Sequence, residues 1–236
     1  TVELRIPPHL LGAKELRLQR NLQQGIREYA PGQEIVADKR IWKSGALDFF
    51  GKEPLIHAYH ICPTCNHLLL ENTAGKGLDN LDQPCPVCHT PPKRGKWKQK
   101  EYIQPDGFRV LTNESGQSAG QYVDRPFNLM QSALAPGSVK TNPIGQILSM
   151  GYDREGVLLY VNEGFKGNGF RICLVCGKHV YKRTNKCDGQ FNGQPCPGKL
   201  ERNTTYALGF KRDTDTLHLK FSNALYTLLP GPEDLS

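Results

Sequence analysis

The chain has 236 residues, enough for one large domain or two small ones around a real core. With 24 Gly and 17 Pro against 38% hydrophobic residues, the composition favours many turns over long helices and points to a mainly β fold. The formal charge of +7 counts eight thiols as neutral; eight thiolates and two Zn²⁺ together remove four charges and leave about +3, so global charge is a weak argument for nucleic acid and local patches must carry it. No apolar run is long enough to span a membrane and no signal-peptide pattern occurs. The expected setting is cytoplasmic, where cysteines read as metal ligands rather than disulfides.

Residues 1–30 read as an extended lead-in, with Pro7-Pro8, followed by a helix from Lys14 to Tyr29. Leu18, Leu22 and Ile26 recur at the helical spacing, and Pro31-Gly32 stops the run. The lead-in opens on no compact unit, so the chain reads as a piece of something longer. Glu34 to Ser44 reads as a hairpin turning near Asp38-Lys39. Leu55 to Ile61 is a strand that delivers Cys62-Pro-Thr-Cys65; a polar, Gly-rich loop from Glu71 to Gln83 leads to Cys85-Pro-Val-Cys88. Pro91-Pro92 then breaks the chain, and Lys93 to Lys100 (KRGKWKQK) is the densest positive run. Its Trp97 either stacks on bases while Lys93, Arg94, Lys96, Lys98 and Lys100 meet phosphates, or is tucked into the fold under a solvated loop.

Tyr102 to Val110 reads as strand, turn, strand, and Thr112 to Gly120 as a flexible loop. Phe127 to Ala135 fits a short strand or a helix equally. Gly145 to Gly151 and Val157 to Asn162 read as two strands around a turn from Asp153 to Gly156. Glu163 to Gly169 turns the chain into Phe170-Arg171-Ile172 and the second cysteine set. Thr214 to Phe221 alternates as a strand. Ser222-Asn223 reads as the cap of a short helix, Ala224 to Leu229, cut by Pro230-Gly231-Pro232, so 222–236 is expected to be a truncated helix or tail.

Two four-cysteine sets follow. Cys62, Cys65, Cys85 and Cys88 have zinc-ribbon spacing, with 19 residues between the pairs. Cys173 and Cys176 form a knuckle closed by Gly177, whose freedom lets the backbone bend towards sulfur; Cys187 and Cys196 complete a tetrahedron. Four thiolates per metal leave no position for water, which favours structural over catalytic zinc. Rubredoxin-like iron is the redox alternative for such knuckles. His67 and His89 read as surface histidines. The fold expected is mainly β, barrel-like or α+β, with residues 31–221 as one zinc-binding domain carrying an inserted ribbon at about 55–100.

No phosphate-binding Gly-x-x-x-x-Gly-Lys-Ser/Thr loop, no Gly-x-Ser-x-Gly elbow and no His-Glu-x-x-His occurs. Pro84-Cys85-Pro-Val-Cys88 matches half of a deaminase zinc signature, but no His-x-Glu precedes it. Asp213 and Asp215 share a strand face and read as structural rather than nucleolytic. The chain alone is therefore expected to lack catalysis.

Arg27-Glu28-Tyr29-Ala30-Pro31-Gly32, then Gly107-Phe108-Arg109, Val161-Asn162-Glu163-Gly164, Gly169-Phe170-Arg171-Ile172-Cys173, Leu208-Gly209 and Thr214-Asp215-Thr216-Leu217 follow in an order that resembles one family. This is the C-terminal MrfA-type zinc-binding domain of large bacterial superfamily-two DEAD/DEAH helicases, including helicase-like proteins of the Druantia and DISARM phage-defence systems. The resemblance spans roughly Ile26 to Phe221. It implies an accessory domain with structural zinc that engages DNA or docks protein, attached to ATP-binding motor domains outside this chain. Simpler members carry one cysteine set, so the ribbon from Cys62 to Cys88 falls outside what the family implies. A second basic stretch, Lys178, Lys182, Arg183 and Lys186, flanks the second set. The competing expectation is a scaffold whose zinc ribbons dock a partner subunit of a defence complex.

Overall fold

The computed structural model describes residues 1–7, 10, 16–70, 84–85, 87–91, 97–111, 117–118, 129–134, 142–145, 147–181, 184–201 and 203–221. The polar loop at 71–83 and the expected C-terminal helix lie outside these residues, as do Lys93, Arg94, Lys96, Lys182 and Arg183.

Among the described residues there are fifteen strands and one α-helix, arranged as two main sheets and one small hairpin. The first sheet holds β1 (Val2–Arg5), β2 (Leu18–Arg20), β3 (Glu34–Ala37), β4 (Arg40–Asp48), β8 (Gly107–Val110) and β9 (Gln117–Ser118), in the order β2-β1-β8-β4-β3, with β9 on β4. The second holds β5 (Ile56–Ile61), β6 (Leu68–Leu70), β7 (Lys98–Ile103), β10 (Leu129–Leu134), β11 (Asn142–Ile144), β12 (Leu148–Asn162) and β15 (Ala207–Phe221). Its order is β10-β12-β15-β7-β5-β6, with β11 on β12. The hairpin pairs β13 (Gln190–Phe191) with β14 (Gln194–Pro195).

The β3–β4 hairpin turns where expected. Asp38 and Lys39 both take positive φ, 50° and 57°, as a two-residue turn matched to strand twist requires. The strand, turn and strand at Tyr102 to Val110 are present, but they do not pair. β7 belongs to the second sheet and β8 to the first, so this turn carries the chain from one sheet to the other. Both sheets contribute to one core: Leu4, Trp42, Leu47 and Phe108 from the first, Ile103, Tyr160, Leu208 and Phe210 from the second, joined by Ile26 of the helix Leu22–Glu28 and its C-cap Tyr29.

Four expectations need correction. The lead-in is a strand, since Val2 to Leu4 pair with Leu18 to Arg20. The N-terminal helix starts only at Leu22, as α1 (Leu22–Glu28), capped by the Asn21 side chain on the Gln24 amide at 2.8 Å; Leu18 fitted the helical spacing but lies in β2, paired with Leu4 of β1. The two strands expected around Asp153–Gly156 are one continuous strand, β12, with an irregularity in register at that point. Gly156 sits against Thr216, where a Cβ would come within 2.3 Å of the methyl group. The loop expected at Thr112 to Gly120 contains β9, which pairs with Arg40 and Ile41. At Phe127 to Ala135 the strand prevails, as β10.

Asn162 fastens the helix to the end of β12. It is fully buried; its Nδ2 donates to the Ile26 carbonyl at 2.6 Å, and its Oδ1 accepts from the Gly164 amide at 2.9 Å. Asn162→Ala leaves a buried carbonyl and a buried N–H without partners and should cost about 3 kcal/mol, measured as a lower urea midpoint.

Candidate metal centres

The three Cys-x-x-Cys knuckles share one backbone design. In each, the amide four residues after the first cysteine donates to that cysteine's carbonyl: Asn66 to Cys62 at 3.0 Å, His89 to Cys85 at 2.8 Å, Gly177 to Cys173 at 2.8 Å. In each, the first cysteine's own amide donates to the carbonyl of the next residue, His67, Thr90 or Lys178. Closing the turn requires positive φ at the fourth position, and Asn66 (57°), His89 (57°) and Gly177 (76°) all have it. Asn, His and Gly are residue types that tolerate this region. His89 thus serves through its backbone, with its side chain exposed. His67 is half-buried rather than a surface residue.

The first centre stands on the β5–β6 hairpin, whose register pairs Ile61 with Leu68 across the knuckle. Cys62 Sγ lies 3.5 Å from Cys88 Sγ, and Cys65 Sγ 3.5 Å from Cys85 Sγ. In the second centre Cys173 and Cys196 are 3.7 Å apart, and Cys176 and Cys187 3.4 Å. Within each set all four sulfurs fall inside 4.8 Å of one another. A disulfide needs about 2.05 Å. A tetrahedron with metal–sulfur bonds of about 2.3 Å has edges of about 3.8 Å, so the spacing fits a metal. Each set can hold one zinc ion.

The thiols alone do not ionise together. A hydrogen bond from Cys176 holds Cys173 down to about 5, while the same bond, with burial, pushes Cys176 up. Burial raises Cys65 to about 12, and the Thr90 side chain lowers Cys88 to about 6. A divalent cation removes this conflict by stabilising all four thiolates. Backbone amides add to it: Gly189 N–H points at Cys187 Sγ (3.3 Å) and Gly198 N–H at Cys196 Sγ (3.4 Å).

Cys187 and Cys196 are brought together by the β13–β14 hairpin, which turns at Asn192 (φ 50°) and Gly193 (φ 75°). The Asn-Gly pair was the available sequence signal for this hairpin. The knuckle of Cys173 docks by backbone on the edge of β4. Leu47 N–H donates to the Gly177 carbonyl at 2.9 Å, and His179 N–H to the Gly45 carbonyl at 2.9 Å. Arg109, on β8, donates to the Cys176 carbonyl at 2.6 Å.

The expected nucleic-acid residues fall into separate situations. Trp97 is buried against Cys62 and Cys85, the second of the two placements open to it in the sequence. Lys100 pairs with the buried Glu163 carboxylate at 2.8 Å, whose other oxygen accepts from the Tyr59 hydroxyl at 2.6 Å. Desolvation, followed by that hydrogen bond, raises the Tyr59 phenol. Lys178 pairs with Asp188 at 3.1 Å. Lys98 and Lys186 are exposed.

No family model matches the chain, and no solved structure matches it. Among curated proteins it is similar to Druantia protein DruE of Escherichia coli (strain UMEA 4076-1), 23% identical over 194 residues. The match covers 73% of this chain and 10% of the relative, so the chain spans about a tenth of the relative's length. Among the described residues no helix is long and apolar enough to cross a membrane.

Elemental analysis should find two zinc ions per chain. Cys65→Ser or Cys187→Ser should each remove one and leave the other; iron in their place would assign the redox alternative. At Gly177 an added Cβ would lie 2.0 Å from the Leu47 carbonyl oxygen, whereas Gly193, at nearly the same φ, has nothing within 4 Å. Gly177→Ala should therefore destabilise by about 3 kcal/mol and release zinc, while Gly193→Ala costs about 1 kcal/mol and retains it, as read by thermal melting with metal content.

Proposed function

We propose that this chain is a zinc-stabilised accessory domain of an ATP-dependent DNA helicase or translocase of phage defence, contributing DNA binding or coupling. The similarity to Druantia protein DruE over most of the chain carries this reading. The order of motifs from Arg27 to Leu217 and the two closed four-thiolate sets support it. ATP would be bound by motor domains outside this chain, and the setting would be the cytoplasm. The domain's own chemistry is mechanical: metal fixes loops at the ends of strands, so that surfaces beside them hold their shape against a moving strand.

A docking scaffold is the second reading, and one observation favours it. The strand register places Ile144, Leu148, Met150, Tyr152, Leu217, Leu219 and Phe221 on a single face of the β11-β12-β15 ribbon. Six of these seven are exposed. An apolar face of this extent suits a partner subunit or neighbouring domain.

The purified chain should bind a labelled DNA oligonucleotide, with affinity falling at least tenfold between about 50 and 200 mM salt as lysine–phosphate contacts are screened. Lys96→Glu with Lys98→Glu should weaken it several-fold and flatten the salt dependence. Absence of DNA binding at low salt, with a partner retained through substitutions elsewhere and lost on Leu217→Lys, would replace the DNA reading with the scaffold.

A further inference from the structure

The second metal centre sets two like charges face to face. Lys186 and Lys199 are direct partners in an antiparallel bridge, and both side chains are exposed. Like charges directly opposite one another destabilise a strand pair. Among the described residues no ion pair holds either ammonium. The carboxylates of the same stretch are engaged: Asp188 by Lys178, and Glu201 by the Thr204 hydroxyl at 2.9 Å. Residues 169–201 contain six Lys and Arg against two Asp and Glu. A zinc ion on four thiolates subtracts two charges, leaving about +2 here of about +3 for the whole metallated chain.

An aromatic ring lies five residues before Lys186 in the same segment. Tyr181 is 57% exposed, with its ring edge-on to His179 at 4.3 Å and Lys43 Nζ 5.8 Å from its centroid. Arg171 ties ring and lysines into one unit. Its carbonyl accepts from Val180 N–H at 2.8 Å, and its Nη2 donates to the Thr184 and Glu201 carbonyls at 3.1 and 3.2 Å. Leu200 N–H to the Asn185 carbonyl, at 3.0 Å, closes the strand pair next to Lys186 and Lys199.

We infer that this surface is a single-stranded DNA site: Lys186 and Lys199 take a phosphate between them, and Tyr181 stacks on a base. The inference deepens, and rests on, the reading of the chain as a DNA-engaging module. A phosphate between the two ammoniums turns one repulsion into two attractions. The ring selects the strand form, because a base must be unpaired to present its face to a side chain. Among the described residues the first centre offers no exposed ring of this kind, since Trp97 is buried, and its Lys100 is held by Glu163.

The test is fluorescence anisotropy of the zinc-loaded chain with a labelled oligo(dT) strand and with a duplex of the same length. Lys186→Glu with Lys199→Glu should weaken oligo(dT) binding at least tenfold and reduce the log–log salt slope by about 0.7, the value for one phosphate of a single strand. Tyr181→Ala should weaken oligo(dT) about tenfold and leave duplex affinity unchanged. Zinc content is measured for every variant. Lys186→Gln with Lys199→Gln replaces the reversal if that variant loses metal, and Lys52→Glu, on the turn after β4, serves as the charge control. Oligo(dT) binding that survives both lysine pairs and Tyr181→Ala with two zinc ions in place overturns this site while leaving DNA engagement standing. Tighter binding to duplex overturns the single-strand assignment. A wild-type chain that binds neither DNA overturns the site and the DNA reading together.

Discussion

The backbone contact between the Cys173 knuckle and the edge of β4 is the constraint on which the second half of the molecule depends. Two hydrogen bonds, Leu47 to Gly177 and His179 to Gly45, bring main chain against main chain with no side chain between. Only glycine fits at 177, because both the positive φ and the Leu47 carbonyl exclude a Cβ. Arg109 fixes the next carbonyl from the adjacent strand. The hairpin bearing Cys187 and Cys196 then has little apolar support of its own, chiefly Val180 and Leu200. Metal supplies what this small core lacks, so sheet edge, knuckle and hairpin are stabilised together or not at all.

The first centre is attached differently. Its cysteines pack on Trp97, and Tyr59, three residues before Cys62, reaches the buried carboxylate of Glu163. Lys100, on the neighbouring strand, completes that cluster. A buried carboxylate is tolerable only when both oxygens are satisfied, and here a phenol and an ammonium from two different strands do so. The cluster ties the strands that carry the ribbon to the chain segment that leads into the second knuckle. A lysine that reads in sequence as a phosphate contact is here paired with a buried carboxylate.

Much of the metal chemistry was legible because it is local. Cys-x-x-Cys fixes two ligands within one turn, and the positions four residues on, Asn66, His89 and Gly177, carry the closing conformation in their residue types. The Asp38-Lys39 turn was legible for the same reason. What the sequence concealed is non-local. Leu18 fits a helix by spacing and belongs to a strand because Val2 to Leu4 lie beside it. Asp153 to Gly156 has the composition of a turn, yet it continues as strand because β15 runs alongside on both sides of it. The passage of the chain between sheets at Gln104 to Asp106 leaves no mark in hydrophobic alternation, since both flanking strands are equally apolar at their inner ends.

β15 is the last described strand in sequence, yet it lies inside its sheet, between β12 and β7. It runs antiparallel to β12 along nearly its whole length and parallel to β7 at Ala207 and Leu208. Among the described residues, the β5-β6-β7 unit with its ribbon and the β10-β11-β12 unit are joined into one ladder only through β15. Before β15 is made, the ladder of the second sheet would therefore exist as two parts that meet only where β6 lies near β10. Its assembly is a late, long-range event, of the kind that slows folding. This last described strand acts as the keystone of its sheet rather than its fringe.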